Sequence, residues 1–190
     1  MTIDIENHKR LFPNSAVQEV NNRVYGCWMI GNNYRNKLGY YGEYPPGYLD
    51  RVFSLFPGVC PEDTLHLFSG KVDNRTGTTV DINEELSPDV AGNAEEIDRL
   101  FKERKFSLVI ADPPYSPDHC KQYGTKMPVP RKVLASLFNV VLPGGYCCWL
   151  STKAPMYARV KRTEWEMAGL IMIYIGTNKD YRGLMILRRL

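Results

Sequence analysis

The chain has 190 residues, 44% hydrophobic and 24% charged, with a formal net charge of +3 from 24 basic and 21 acidic side chains. That length suits one domain with a sizeable core. The composition excludes a disordered chain, and no apolar run reaches the roughly 20 residues of a membrane span.

The start, Met1 to Arg10, is polar and mixed in charge, unlike a secretory signal, so the expected compartment is the cytoplasm. Five cysteines (Cys27, Cys60, Cys120, Cys147 and Cys148) are odd in number and form no CxxC pair, which argues against a disulfide framework or a structural zinc site. Residues 1–45 read as a polar leader with one candidate strand, Val24 to Ile30, and residues 46–190 as the folded domain. After Pro45-Pro46, Leu49, Val52, Phe53 and Phe56 have helical spacing, and Pro57-Gly58 ends the helix. The chain then alternates: strands at 64–68, 78–82 and 88–91, a helix over 94–103, an almost wholly apolar strand Phe106 to Ala111, a helix over 128–141 stopped by Leu142-Pro143-Gly144-Gly145, and a strand Tyr146 to Leu150 in which Cys147 and Cys148 are core residues. A helix over 157–168 and two strands, 170–175 and 184–187, complete the pattern. Such alternation predicts a mostly parallel sheet with helices on both faces and a last strand that runs antiparallel. Sheets of this kind bind ligands at the carboxyl ends of their strands.

Asp112-Pro113-Pro114-Tyr115 stands at such an end, directly after Phe106 to Ala111. The exocyclic amine of a nucleobase is a poor nucleophile because its lone pair is delocalised into the ring. A carboxylate and a backbone carbonyl that accept its two hydrogens favour a pyramidal nitrogen and stabilise the charge that develops on methylation. Asp112 supplies the carboxylate, Pro113 the carbonyl, the paired prolines a fixed backbone, and Tyr115 a ring on which an extruded base stacks.

On these residues the chain resembles the S-adenosylmethionine-dependent amino-methyltransferases of nucleic acids that carry a D/N/S-P-P-Y/F/W motif, most of all small prokaryotic or phage-borne DNA adenine-N6 methyltransferases. The resemblance covers residues 40–190. It implies a single-domain, Rossmann-like α/β fold: a mostly parallel seven-stranded sheet with a reversed last strand and helices on both faces. It implies S-adenosylmethionine as cofactor and DNA as substrate. Phe68, Ser69 and Gly70 are similar to the family's first-strand cofactor loop, Asp81 to the acid that holds the ribose hydroxyls, and Asn93 and Ala94 to the pair beside the adenine ring. Tyr41 belongs to the segment leading to the methionine end, and Asp112 is shared by the cofactor and the catalytic set.

The sequence departs from the family in two places. Lys71-Val72 replaces the loop's usual second glycine, and the connections 70–78 and 83–87 are too short for crossover helices. No recognition insert separates Tyr115 from the helix read to begin at Pro128. Three polar segments stand in for it: a basic stretch carrying Lys121, Tyr123, Lys126, Arg131 and Lys132; the segment 177–182 with Asn178, Lys179 and Arg182; and the leader cluster 32–37. Cations interleaved with aromatics suit backbone contact and base stacking. A homodimer or a separate recognition subunit is the alternative source of selectivity. His119 is assigned no catalytic role, and methyl transfer from a sulfonium calls for no metal. Two other readings stay open: an RNA base methyltransferase acting on adenine N6 or guanine N2, and a non-catalytic binding module on the same fold.

Overall fold

A computed structural model describes residues 1–31, 44–122, 124–153, 164–176 and 180–190. Within them the chain forms helices α1 (Ile5–Leu11), α2 (Tyr48–Leu55), α3 (Ile97–Leu100), α4 (Pro117–Gln122) and α5 (Pro130–Phe138), and strands β1 (Ala16–Val20), β2 (Arg23–Ile30), β3 (Thr64–Leu67), β4 (Thr78–Asp81), β5 (Val90–Ala91), β6 (Phe106–Ala111), β7 (Val141–Ser151), β8 (Trp165–Ile175) and β9 (Asp180–Arg189). No helix among the described residues is long and apolar enough to cross a membrane.

The strands make one sheet in the order β1-β2-β8-β9-β7-β6-β3-β4-β5. From β5 to β7 all neighbours are parallel, and β9 is antiparallel to both β7 and β8. The expected reversed last strand is therefore present. The expected seven strands are nine, because the leader adds two: β2 pairs parallel with β8, and β1 pairs antiparallel with β2. This hairpin turns at Asn21-Asn22, both at positive φ, a conformation asparagine tolerates.

Apolar side chains alternate between the sheet faces and build two cores. Trp28, Ile110, Cys148, Ile171, Ile173 and Ile186 pack under α1 and α2; Leu67, Val109, Cys147, Trp149 and Leu187 pack under α3 and α5. Helices thus cover both faces. Cys147 and Cys148 are buried as expected, and burial pushes the Cys147 thiol up to about 12. In α1 the cap is Asp4, whose carboxylate accepts from Asn7 N at 2.8 Å, and buried His8 stacks on Trp28 at 5.4 Å.

The short connections noted in the sequence hold no crossover helix. Single 3-10 turns, Asn74–Thr76 and Glu84–Leu86, bridge β3 to β4 and β4 to β5. Two expected elements are corrected. Of the helix read over 157–168, residues 157–163 lie outside the described residues, and from Trp165 the chain is strand β8. Pairing of Trp165, Glu166 and Met167 with Arg189, Arg188 and Leu187 overrides the helical propensity of that stretch. Residues 142–145, read as a helix stop, lie inside β7, while α5 already ends at Phe138.

Candidate active site

The carboxyl ends of β3, β4, β5 and β6, with the first residues of β9, surround a cleft of about 1270 Å³. Single small-ligand sites span roughly 300–1,000 Å³, so the cleft has room for two ligands side by side.

At its centre is the end of β6. Asp112 N still donates to Leu67 O at 3.4 Å, continuing the parallel ladder by one step. Pro113 and Pro114 have no N–H to extend it, and the chain leaves the sheet. Ser116 then caps α4, its hydroxyl accepting from His119 N at 3.2 Å. The half-buried Asp112 carboxylate faces little water, and desolvation pushes its pKa up to about 6 against the opposing Arg182 charge and the Tyr115 hydroxyl. That hydroxyl donates to Asp112 Oδ1. The Tyr115 ring meets His119 edge-on at 5.8 Å and carries the Arg182 guanidinium 4.8 Å from its centroid.

The second half of the cleft follows β3 and β4. Phe68 takes a left-handed φ of 56°, a conformation that costs an aromatic residue about 1–3 kcal/mol. It turns the chain sharply after β3 and sets the ring edge-on to Trp149 at 6.3 Å. Gly70, also at φ 56°, presents its N–H to Asp81 Oδ2 at 2.9 Å, while Asn83 N donates to Asp81 Oδ1 at 3.0 Å. Two backbone donors therefore fix the Asp81 carboxylate, and each oxygen keeps acceptor capacity. Asn93 caps the next 3-10 turn, accepting from Glu95 N at 3.0 Å, and Ala94 is buried beside it.

Of the residues singled out in the sequence, Phe68, Gly70, Asp81, Asn93, Ala94, Asp112, Pro113, Pro114, Tyr115, Lys126, Lys132 and Arg182 all line this one cleft. Ser69 does not: it is buried, with a hydroxyl that has no hydrogen-bond partner. Lys121 and Arg131 also lie outside the cleft. The basic stretch is less basic than its sequence suggests, because α4 pairs Lys121 with Asp118 (3.2 Å) and Lys132 reaches Glu95 (3.2 Å). Tyr41, Tyr123, Asn178 and Lys179 lie outside the described residues, as does the cluster 32–37.

His119, named in the basic stretch but given no catalytic role, lines the cleft against Tyr115, and Tyr44 falls in the segment 41–48 without having been singled out. The Tyr44 hydroxyl donates to Ile110 O at 3.4 Å and lies 3.4 Å from Nδ1 of buried His66. It thereby ties the approach to α2 to the backbone just before Asp112. A single tyrosine near two prolines carries no spacing signal that could have revealed this.

No protein-family model and no curated protein matches the chain. Solved structures do resemble it in fold. TrmN from Thermus thermophilus superposes with a TM-score of 0.62 at 14% identity, over 82% of this chain and 53% of that one. A putative SAM-dependent methyltransferase from Streptococcus mutans gives 0.56 at 10% identity, over 93% and 56%. The N-methyltransferase NodS from Bradyrhizobium japonicum WM9, in complex with S-adenosyl-L-homocysteine, gives 0.54 at 10% identity, over 83% and 93%. This chain spans about half the length of the first two. Its fold is the Rossmann-like α/β fold of these methyltransferases.

Proposed function

We propose that this chain binds S-adenosylmethionine and methylates an exocyclic amine of a nucleobase, adenine N6 in DNA. The observation that carries this reading is the single cleft in which Asp112, Pro113 and Tyr115 adjoin Phe68, Gly70, Asp81 and Asn93.

The cofactor fits the residues present. The Asp81 carboxylate, fixed by two backbone amides, suits a ribose diol that donates two hydrogen bonds. Phe68, Val80, Ile82 and Leu86 give the cleft apolar lining suited to the adenine ring, and Asn93 lines the same cleft. The bound cofactor supplies an electrophilic methyl group on a sulfonium sulfur. The chain does the rest. Tyr115 stacks the extruded base, Asp112 accepts one amine hydrogen and the Pro113 carbonyl the other. An amine that accepts this methyl group would gain positive charge beside the Asp112 carboxylate. With a pKa near 6, Asp112 is ionised at neutral pH and basic enough to take the released proton and pass it to water.

Incubation with tritiated S-adenosylmethionine and DNA or RNA, followed by digestion and nucleoside analysis, tests the reading. The expected product is N6-methyladenine in DNA. Label found only in RNA reassigns the polymer, and no labelled base in either rejects the proposal.

A further inference from the structure

One face of Tyr115, on the side of the cleft, already has an occupant. Arg182 and Tyr115 both line the cleft, and the guanidinium carbon stands 4.8 Å from the ring centroid. His119 holds the ring's edge, and the ring's hydroxyl is bound to Asp112. One face, one edge and the hydroxyl are thus engaged by this chain's own groups. A guanidinium is planar, weakly hydrated and stacks on aromatic faces, so it covers the ring much as one edge of a heteroaromatic base does. Among the described residues, Arg188 of β9 pairs with Glu166 at 3.0 Å, towards the far end of the strand from the cleft. Arg182 acts on Asp112, whose carboxyl its charge holds down.

Resting on the function proposed above, we infer that Arg182 is a substrate-positioning residue that fills the stacking seat of Tyr115 until the target base takes it, and then carries its charge to a phosphate flanking that base. With the base placed on the ring face that Arg182 covers, the two occupants exclude each other on that face. Leaving Tyr115 forfeits a cation–π contact, and a charge-assisted hydrogen bond to phosphate more than offsets that loss. Arg182 therefore opposes a substrate that has a base but no phosphate and favours one that has both. Removing it must change the two affinities in opposite directions, which a purely structural role does not do.

The test compares the wild-type chain with Arg182→Ala and Arg182→Lys on two substrates, deoxyadenosine and a single-stranded adenine-containing oligodeoxynucleotide, with tritiated cofactor over a range of salt. For Arg182→Ala, the KM for deoxyadenosine falls about two- to fivefold. Its KM for the oligonucleotide rises roughly tenfold or more, with a smaller change in kcat. The salt dependence of oligonucleotide binding loses about 0.7 in log–log slope, one phosphate contact on a single strand. Arg182→Lys keeps that slope but shares the lower nucleoside KM, because an ammonium carries the charge without the planar stack. If Arg182→Ala fails to fold, the lysine variant decides alone through its nucleoside KM. Losses in the same direction on both substrates overturn the inference and leave the proposed function standing. A wild-type chain that binds cofactor yet labels neither substrate nor RNA overturns both.

Discussion

The two wings of the sheet on either side of β6 are built by different means. On one side β3, β4 and β5 have 4, 4 and 2 residues; on the other β7, β9, β8 and β2 have 11, 10, 11 and 8. The long wing is held by apolar burial, with Trp28, Ile171, Ile173, Leu184 and Ile186 in one core. The short wing adds polar clamps where crossover helices are missing. Its 3-10 turns are capped by Asp73, Asn83 and Asn93, each accepting from the backbone N–H two residues on. Asp89 Oδ2 accepts from both Thr79 N and Thr79 Oγ1 at 2.9 Å, and Asn74 donates to Asp89 Oδ1 at 3.3 Å. A ligand site can thus be held at strand ends without flanking helices, provided side chains satisfy the turn amides. The short wing thus adds polar bonds at its turns to its apolar core, while the long wing rests on apolar burial.

The largest expected effect lies on the seam between the wings. Asp112→Asn lowers kcat by about 10²–10³-fold in the methylation assay. Wild-type kcat falls as pH drops below about 6, where the carboxylate takes up a proton; a profile flat to pH 5 would show that ionised Asp112 is not required. The sign for stability is opposite. The folded pKa of about 6 lies above the ordinary 3.8, so the native state binds the proton more readily and the ionised form is penalised in it. That penalty is absent below pH 3.8 and complete above 6. Asp112→Asn therefore melts higher than wild type at pH 7–8, with the gap closing towards pH 4.

Next in size is Trp28→Ala. Trp28 is fully buried in the long wing, and its loss costs about 3–5 kcal/mol in denaturant unfolding while leaving cofactor affinity as it was. A weakened affinity would break the contrast between the wings. The smallest effect on stability is expected for Asp89→Ala, about 1 kcal/mol at this exposed position. It nevertheless weakens cofactor binding in calorimetry, because β4 carries Asp81 two residues beyond Thr79. Burial pushes the Asp89 carboxyl up, but the bonds from Thr79 and Asn74 more than reverse this, so its folded pKa lies below the ordinary value. Its contribution is present above the ordinary pKa and is lost as pH falls through the folded one, so the variant and wild type converge in acid.

What the sequence revealed follows the same division. β6 was legible to the residue because its apolar run is ended by Asp-Pro-Pro, and Phe68, Gly70, Asp81 and Asn93, which the resemblance pointed to, do come together in one cleft. The reversed β9 was legible from its short link to β8. Other features depend on partners far along the chain. In β8 the register shifts between Met167 and Gly169, which hides the period-two pattern. In β7 the pairing passes from Phe106–Val141 to Leu108–Tyr146, so Pro143, Gly144 and Gly145 fall in an irregular stretch that looks like a loop. α1 buries a histidine rather than a run of aliphatics, so its inward face carried no apolar signal. Ser69 was named from the cofactor-loop resemblance and Lys121 and Arg131 from the basic stretch, and neither signal says which side chains turn into the cleft.

The parallel pairing of β2 with β8 also sets an order of events. Val24 lies opposite Gly169, about 145 residues later. As the chain emerges from the ribosome, the β1–β2 hairpin is made early but cannot join the sheet until residues 169–175 have followed. Until then Trp28 and Ile30 lack their final cover, on an edge open to pairing with any other strand. Contacts of such long range slow the search for the native topology. Completion of the sheet therefore waits on residues far downstream of the β1–β2 hairpin, and the vulnerability of that edge to aggregation is concentrated in that interval.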